Sequence, residues 1–482
     1  MVAVTKVIGK ATEAFTKSVK GKIKIPFQAE NELISFKRGR ELLRANGNKE
    51  VVYQIKPEID MPINPLTMNA TKPAVRISKS TFEKADGVAK RELGTVSVRL
   101  ARTYKMAEEG ARAEIQSIFK GYDVSVRTKG ANSIYSKLEK NVMKKGKVIR
   151  TDTGASKMIG DAIGGRVTMP NLTQKDVELV IKNIKIDGKA LSADEQKIMQ
   201  RFFRNKKLSP AEFVTAQKYS RQIKLALAER QSEPVVRMIE LSSLKQALNE
   251  GTVTIEQLEK NAFIDKSLVK ELKTNPDITP LKITEFNNYR GANGIPYYTD
   301  AQIARLKDLQ LVTGNHFDII TAPEVSRFKS ALTKFEQDAL KESGYTTSQF
   351  NAVLSDGSLA EIQIRGKGPF GEVEHIAYDS RQAKNTLGSV YDEYKQAVIA
   401  VEKQGLTPEY NNYLSRTYDY YRDAELGIVS TKPALPESLM AFRGKDGTAL
   451  LDESNMIRLH SLDDAIQAEA KKTFVPHLRY SA

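Results

Sequence analysis

The chain has 482 residues, 40% of them hydrophobic, enough to bury a substantial core and to suggest two to four structural units. It contains no cysteine, which excludes disulfides and thiolate metal sites and permits a reducing, cytoplasmic compartment. The formal charge of +16 points to polyanionic partners such as nucleotides or RNA, and no apolar run approaches the roughly 20 residues of a membrane span.

Residues 1–95 read as an N-terminal extension without assignable chemistry. Its start, "MVAVTKVIGKATEAFTKSVKGKIKIPF", is basic and mildly amphipathic but lacks the compact apolar core and cleavage site of a secretory leader. The prolines of "IKPEIDMPINPLTMNATKPAVRIS" predict an extended segment. A helical pattern follows, with Ser80 as a cap and Gly121 as a stop. Within 96–184, "DVSVRT" predicts a short strand, followed by a basic turn and a helix from Asn132 or Ser133. "GDAIGGRVTM" predicts a turn into a second strand, and "TQKDVELVIKNI" an amphipathic helix. This order predicts an α/β (α+β) fold, a mixed sheet flanked by helices.

Residues 185–340 read as a mainly helical insertion, in which "FNNYRGANGIPYYTDAQ" is a loop leading into a helix. Residues 341–400 carry two alternating segments around Asp356-Gly357, a hairpin signal, and a helix at "SVYDEYKQAVIAVEKQ". Residues 401–482 read as a helical or irregular tail with a Tyr-rich stretch.

The candidate chemistry lies in four short motifs. In "RTKGANSIYSK", Arg127, Lys129 and Lys137 bracket a turn and the first helical turns after a strand, where cations and free backbone N–H groups can converge on a polyphosphate. A solvated basic surface would carry the same residues. "GDAIGGRV" sets Asp161 five residues before Arg166, suiting Mg²⁺ and phosphate respectively, or alternatively a turn with a structural ion pair. "SGYTTSQF" places Tyr345 after Gly344, so the ring can stack on a base or pack in a hairpin. In "SDGSLAEIQIRG", Leu359, Glu361, Gln363 and Arg365 share one strand face and Ala360, Ile362 and Ile364 the other. That polar row is either a solvated face or the floor of a cleft. The four histidines, His316, His375, His460 and His477, have no spacing suited to a zinc hydrolase.

In this order the motifs resemble those of the RelA/SpoT synthetase domain, the nucleotidyltransferase-like fold that makes (p)ppGpp. The family's Arg-x-Lys-x-x-x-Ser-Ile-x-x-Lys spacing is matched by Arg127, Lys129, Ser133, Ile134 and Lys137, and its Asp-to-Arg spacing by Asp161 and Arg166. Its Gly-Tyr loop is matched by Gly344 and Tyr345, its Glu-x-Gln-x-Arg strand by Glu361, Gln363 and Arg365, and its following Glu-His and Tyr by Glu374, His375 and Tyr378. The resemblance covers about 110–182 and 340–400. It implies that Arg127, Lys129 and Lys137 grip the phosphates of ATP, that Asp161 and Glu361 hold Mg²⁺, and that Tyr345 stacks on the acceptor base. It further implies that Glu361 assists the acceptor 3'-hydroxyl, which attacks the β-phosphate of ATP and releases AMP. GTP or GDP is the acceptor the resemblance implies; an adenine nucleotide or a tRNA 3' end would keep the same chemistry. A nucleotide- or RNA-binding protein on the same fold would not need both carboxylates.

Three departures stand beside the match. About 175 residues separate the Asp-to-Arg strand from the Gly-Tyr loop, where the family has a short and often basic segment. Gln349 stands where the family's loop carries a His, and Gln cannot become a cation. No His-Asp pair supports the family's hydrolase domain.

Overall fold

A computed structural model describes residues 86–131, 133–135, 137–138, 159, 161–289, 294–315, 317–321, 346–369, 373 and 391–474. Helix α1 (Asp86–Ile118) leads through a turn at Gly121, where φ is +90°, into strand β1 (Asp123–Thr128). Residues 133–135, 137 and 138 are helical, with Ile134 and Leu138 buried one turn apart. Strand β2 (Ile163–Met169) and helix α2 (Gln174–Asn183) follow, α2 starting at a reciprocal capping box between Thr173 and Asp176. The Ser80 cap expected for the first helix lies outside the described residues.

Between α2 and the second half of the sheet run the small hairpin β3 (Lys185–Ile186) and β4 (Lys189–Ala190) and helices α3 (Ala193–Phe203), α4 (Pro210–Asn249), α5 (Ile255–Lys260) and α6 (Lys266–Thr274). Strand β5 (Lys282–Tyr289), helix α7 (Asp300–Thr313) and strand β6 (Asp318–Thr321) come next. The hairpin β7 (Thr347–Val353) and β8 (Leu359–Gly366) turns at Gly357, whose φ of +81° favours the residue without a Cβ. The chain closes with α8 (Asp392–Lys403), α9 (Thr407–Glu425), α10 (Glu437–Met440) and α11 (Glu453–Phe474).

Six strands form one mixed sheet in the order β1-β2-β8-β7-β5-β6. Strands β2 and β8 run parallel, as do β5 and β6, and the other neighbours are antiparallel. The mixed α/β architecture expected from the sequence is therefore present. The described part of the segment 185–340 is mainly helical, and it also supplies β5 and β6 to this sheet. "FNNY", read above as loop, is the second half of β5. A register shift between Ile283 and Glu285 breaks its alternation, and two asparagines lower its strand propensity, but pairing with β7 along its length overrides both.

One face of the sheet is apolar. Val126, Val167, Ile362, Ile364, Phe350, Ile283 and Phe286 lie buried against Leu100, Ile115 and Phe119 at the α1 end and Val235, Ile239 and Leu244 of α4. Each such side chain contributes about 1.5–3 kcal/mol of burial before conformational entropy is set against it. A second, smaller cluster joins Val177 and Ile181 of α2, Met199 and Phe203 of α3, and Ile223 and Leu227 of α4. Helix α4 spans both clusters, and Pro234 sits where it passes from one to the other. Tyr410, Tyr413, Leu414 and Tyr418 of α9 belong to the larger core, so the Tyr-rich stretch is interior structure rather than an appended tail. No helix of the described residues is long and apolar enough to cross a membrane.

Candidate active site

The opposite face of the sheet is polar, and the strand register decides which residues meet there. Residues paired across a ladder share a face. One row runs Arg127, Gly164, Glu361, Asn351, Glu285, and the next runs Ser125, Arg166, Gln363, Gln349, Asn287. Arg127, Glu361, Arg166, Gln363 and Gln349, drawn from four strands, therefore stand on one surface. Gly164 leaves the place between Arg127 and Glu361 without a side chain.

Asp161 precedes β2 and meets the lysines of the first motif. Lys129 Nζ lies 3.1 Å from Asp161 Oδ2, and Lys137 Nζ donates to the same oxygen. Two backbone features bring the lysines there. The Lys129 N–H donates to the Ala162 carbonyl at 2.9 Å, extending the β1–β2 ladder past its end. Lys137 stands between Ile134 and Leu138, whose burial turns that side of the helix toward the sheet. Ser133, on the same helical stretch, is exposed.

This cluster of two ammonium groups and one carboxylate carries an excess positive charge. Burial pushes the Asp161 carboxyl up, but the two lysines outweigh it and hold the group below its ordinary value. Burial, followed by the Lys129 charge, pulls Lys137 below the ordinary lysine value in spite of Asp161 and Glu361. The Glu361 charge is thus within electrostatic reach of Lys137. Asp161 Oδ1 is buried and accepts no hydrogen bond from the described residues. An orphaned carboxylate oxygen suits a hard cation such as Mg²⁺, which takes one or two protein carboxylates and completes its shell with water and phosphate oxygens. No group of three or more His, Asp or Glu side chains able to hold a metal occurs among the described residues.

Along β8 the polar side chains are linked in sequence. Gln363 Nε2 donates to Glu361 Oε1 at 3.0 Å, and Arg365 Nη2 approaches Gln363 Oε1 at 3.5 Å. Arg365 is 4% exposed and lines a cavity of about 130 Å³ at the carboxyl ends of β2 and β8, together with Arg166, Thr168 and Lys367. Tyr297, from the loop after β5, forms another wall. Behind it, Tyr297 Oη donates to Glu425 Oε2 at 2.9 Å and accepts from the Gly366 N–H at 3.2 Å. Arg422 Nη1 lies 2.9 Å from the same Glu425 oxygen and stacks over the Tyr297 ring at 4.2 Å.

Several contributors escaped the sequence reading. Glu285 and Asn351 continue the Glu361 row and bond to each other at 2.9 Å, Asn351 donating. Burial and the charges of Glu285 and Glu361 push the Tyr289 phenol up to about 12, and its hydroxyl donates to Asn287 at 3.1 Å. Alternation in "TSQFNAV" could have revealed Asn351, whereas nothing local marks Tyr297 or Glu425. Tyr345, Glu374, His375 and Tyr378 lie outside the described residues. Comparison with protein-family models, with curated proteins and with solved structures finds no match for this chain.

Proposed function

We propose that the chain is an ATP- and Mg²⁺-dependent pyrophosphokinase of the RelA/SpoT type, transferring the pyrophosphate of ATP to the 3'-hydroxyl of GTP or GDP to give (p)ppGpp. The observation that carries this reading is the convergence of separately encoded motif residues, Arg127, Arg166, Glu361 and Gln363, on one sheet face, with Lys129, Lys137 and Asp161 clustered where β2 begins.

In this reading Arg127, Lys129 and Lys137 bind the ATP phosphates. Glu361 takes the proton from the acceptor 3'-hydroxyl as its oxygen bonds to the β-phosphorus, and the bond from that phosphorus to the bridging oxygen breaks, releasing AMP. Asp161 and Glu361 would hold Mg²⁺, which supplies charge neutralisation on the phosphate oxygens when bound. Such chemistry needs mainly positioning and charge compensation, which cationic and carboxylate groups on a rigid sheet provide.

The test is incubation with γ-labelled ATP, Mg²⁺ and, in turn, GDP, GTP, ADP or tRNA, followed by separation of products. Label on a guanine nucleotide is expected. Label on ADP or tRNA would change the acceptor, and no transfer to any of them would reduce the protein to a nucleotide- or RNA-binding module. Glu361→Gln should lower transfer by about 10²–10⁴-fold with an unchanged thermal midpoint; wild-type rates in that variant would remove Glu361 from the mechanism.

A further inference from the structure

Away from the sheet, the segment from Lys182 to Lys224 carries eleven Lys and Arg residues against four Asp and Glu. Three of those carboxylates are taken up within the segment. Glu195 and Glu212 close the capping boxes of α3 and α4, and they also accept from the Tyr219 hydroxyl at 2.7 Å and from Arg201 at 2.6 Å. Asp194 lies 3.5 Å from Lys197. Arg204 and Lys224 find their counter-charges on other elements, in Glu178 and Asp423. Lys206, Lys207 and Arg221 form no ion pair among the described residues, and all three are exposed.

The two lysines are presented on a fixed turn. Helix α3 ends in a Schellman reversal, in which the Lys206 N–H donates to the Arg201 carbonyl and the Asn205 N–H to the Phe202 carbonyl, both at 2.9 Å, with Asn205 in the left-handed region at φ +52°. The Arg201 guanidinium donates to the Lys207 carbonyl and pairs with Glu212, the neighbour of Phe213. Phe213 is 46% exposed, and a ladder of rings anchors it: its ring lies 6.3 Å from that of Phe202, which meets the buried Phe203 edge-on at 5.3 Å. A ring anchored in the core and shown to solvent beside two unpaired ammonium groups suits a base stacked between backbone phosphates. Along α4, Val214, Lys218 and Arg221 follow at helical spacing and are all exposed, so the basic stripe continues on one face of the helix.

Composition selects the partner. An anionic membrane calls for a broad apolar helix face, but beyond Phe213 and Val214 the exposed positions are Gln217, Lys218 and Arg221. We propose that the α3–α4 corner, through Lys206, Lys207, Phe213, Lys218 and Arg221, binds single-stranded nucleic acid, with phosphates on the cations and an unpaired base on Phe213. This corner rests on the smaller core cluster and uses no residue of the proposed active site, so the proposal stands apart from the pyrophosphokinase reading.

Fluorescence anisotropy of the full chain with labelled oligouridylate and oligothymidylate of about 15 nucleotides tests it. Wild type would be compared with Phe213→Ala and with the double variant Lys206→Ala, Lys207→Ala, thermal midpoints confirming that each folds. The expected result is a wild-type Kd of about 10 µM or tighter at about 50 mM salt, similar for both oligonucleotides because neither contact uses the 2'-hydroxyl. Phe213→Ala should weaken binding about tenfold. The slope of log affinity against log salt, about −3 for four phosphate contacts, should become shallower by about 1.5 in the double variant. Absence of binding, strict selection of one oligonucleotide over the other, or unchanged affinity in both variants would overturn the proposal, the last because the charge of +16 would then act elsewhere. Cosedimentation with phosphatidylserine-phosphatidylcholine vesicles is the counter-test. Vesicle binding that these variants abolish, without oligonucleotide binding, would make the partner a membrane surface and overturn the proposal as well.

Discussion

Asp161 divides one oxygen between two ammonium groups, and the balance of burial against charge there sets the pH behaviour of the proposed ATP side. Its carboxyl is held below the ordinary value, so its contribution to stability is present at neutral pH and is lost as pH falls through the depressed value. Lys137 behaves differently. Burial and Lys129 disfavour its charge in the free protein, so a bound polyphosphate restores what burial removed and draws its pKa back up. ATP affinity should then decline as pH rises through the free-protein Lys137 value, starting below the ordinary lysine value of about 10.4. Lys137→Arg keeps a charge that does not titrate in this range and should delay the decline. Equilibrium dialysis of ATP from about pH 7 to about pH 10 measures both curves; identical curves would take Lys137 out of the ATP site.

Helix α9 and strand β8 meet at a place where no side chain fits. A Cβ on Gly366 would overlap the Glu425 carboxyl, which burial pushes above its ordinary pKa while Arg422, Tyr297 and Arg365 pull it down. Arg422 also donates to Gln231 of α4 at 2.7 Å and to the Ile295 and Pro296 carbonyls at 3.3 Å, so one guanidinium ties three segments together behind the cavity. Glu425→Ala leaves Arg422 buried without its counter-charge and should cost about 3–5 kcal/mol. Glu425→Gln keeps an acceptor for Tyr297 and Arg422 and should cost less. Urea unfolding would measure both, and a Glu425→Ala cost below about 1 kcal/mol would show that the network does not hold these elements together.

At the scale of the whole molecule, the larger core runs from Leu100 in α1 to Leu459 in α11 and draws on residues of the insertion as well as the sheet. The insertion and the C-terminal helices are therefore part of the unit that carries the candidate site. Removing residues 404–482 strips Tyr410, Tyr413, Leu414 and Tyr418 from that core together with the Glu425 network. The truncated chain should lose cooperative thermal unfolding by calorimetry, whereas an appended tail would come away with the main transition intact.

Much of the local structure was legible in the chain. The helix stop at Gly121, the Asp356-Gly357 turn and the alternation of "AEIQIRG" are short-range signals, and they correctly put Glu361, Gln363 and Arg365 on one face of a strand. Tertiary structure alone decided what stands opposite them. Register pairs residues far apart in sequence, so the row Ser125, Arg166, Gln363, Gln349, Asn287 has no local trace. The Asn-bearing segment that became β5 shows the same limit, since a partner strand supplied what propensity did not. Nothing local in the sequence marks Glu425 or Arg422. Only packing revealed them as buried partners, because burial depends on the elements that cover a residue and not on its neighbours in the chain.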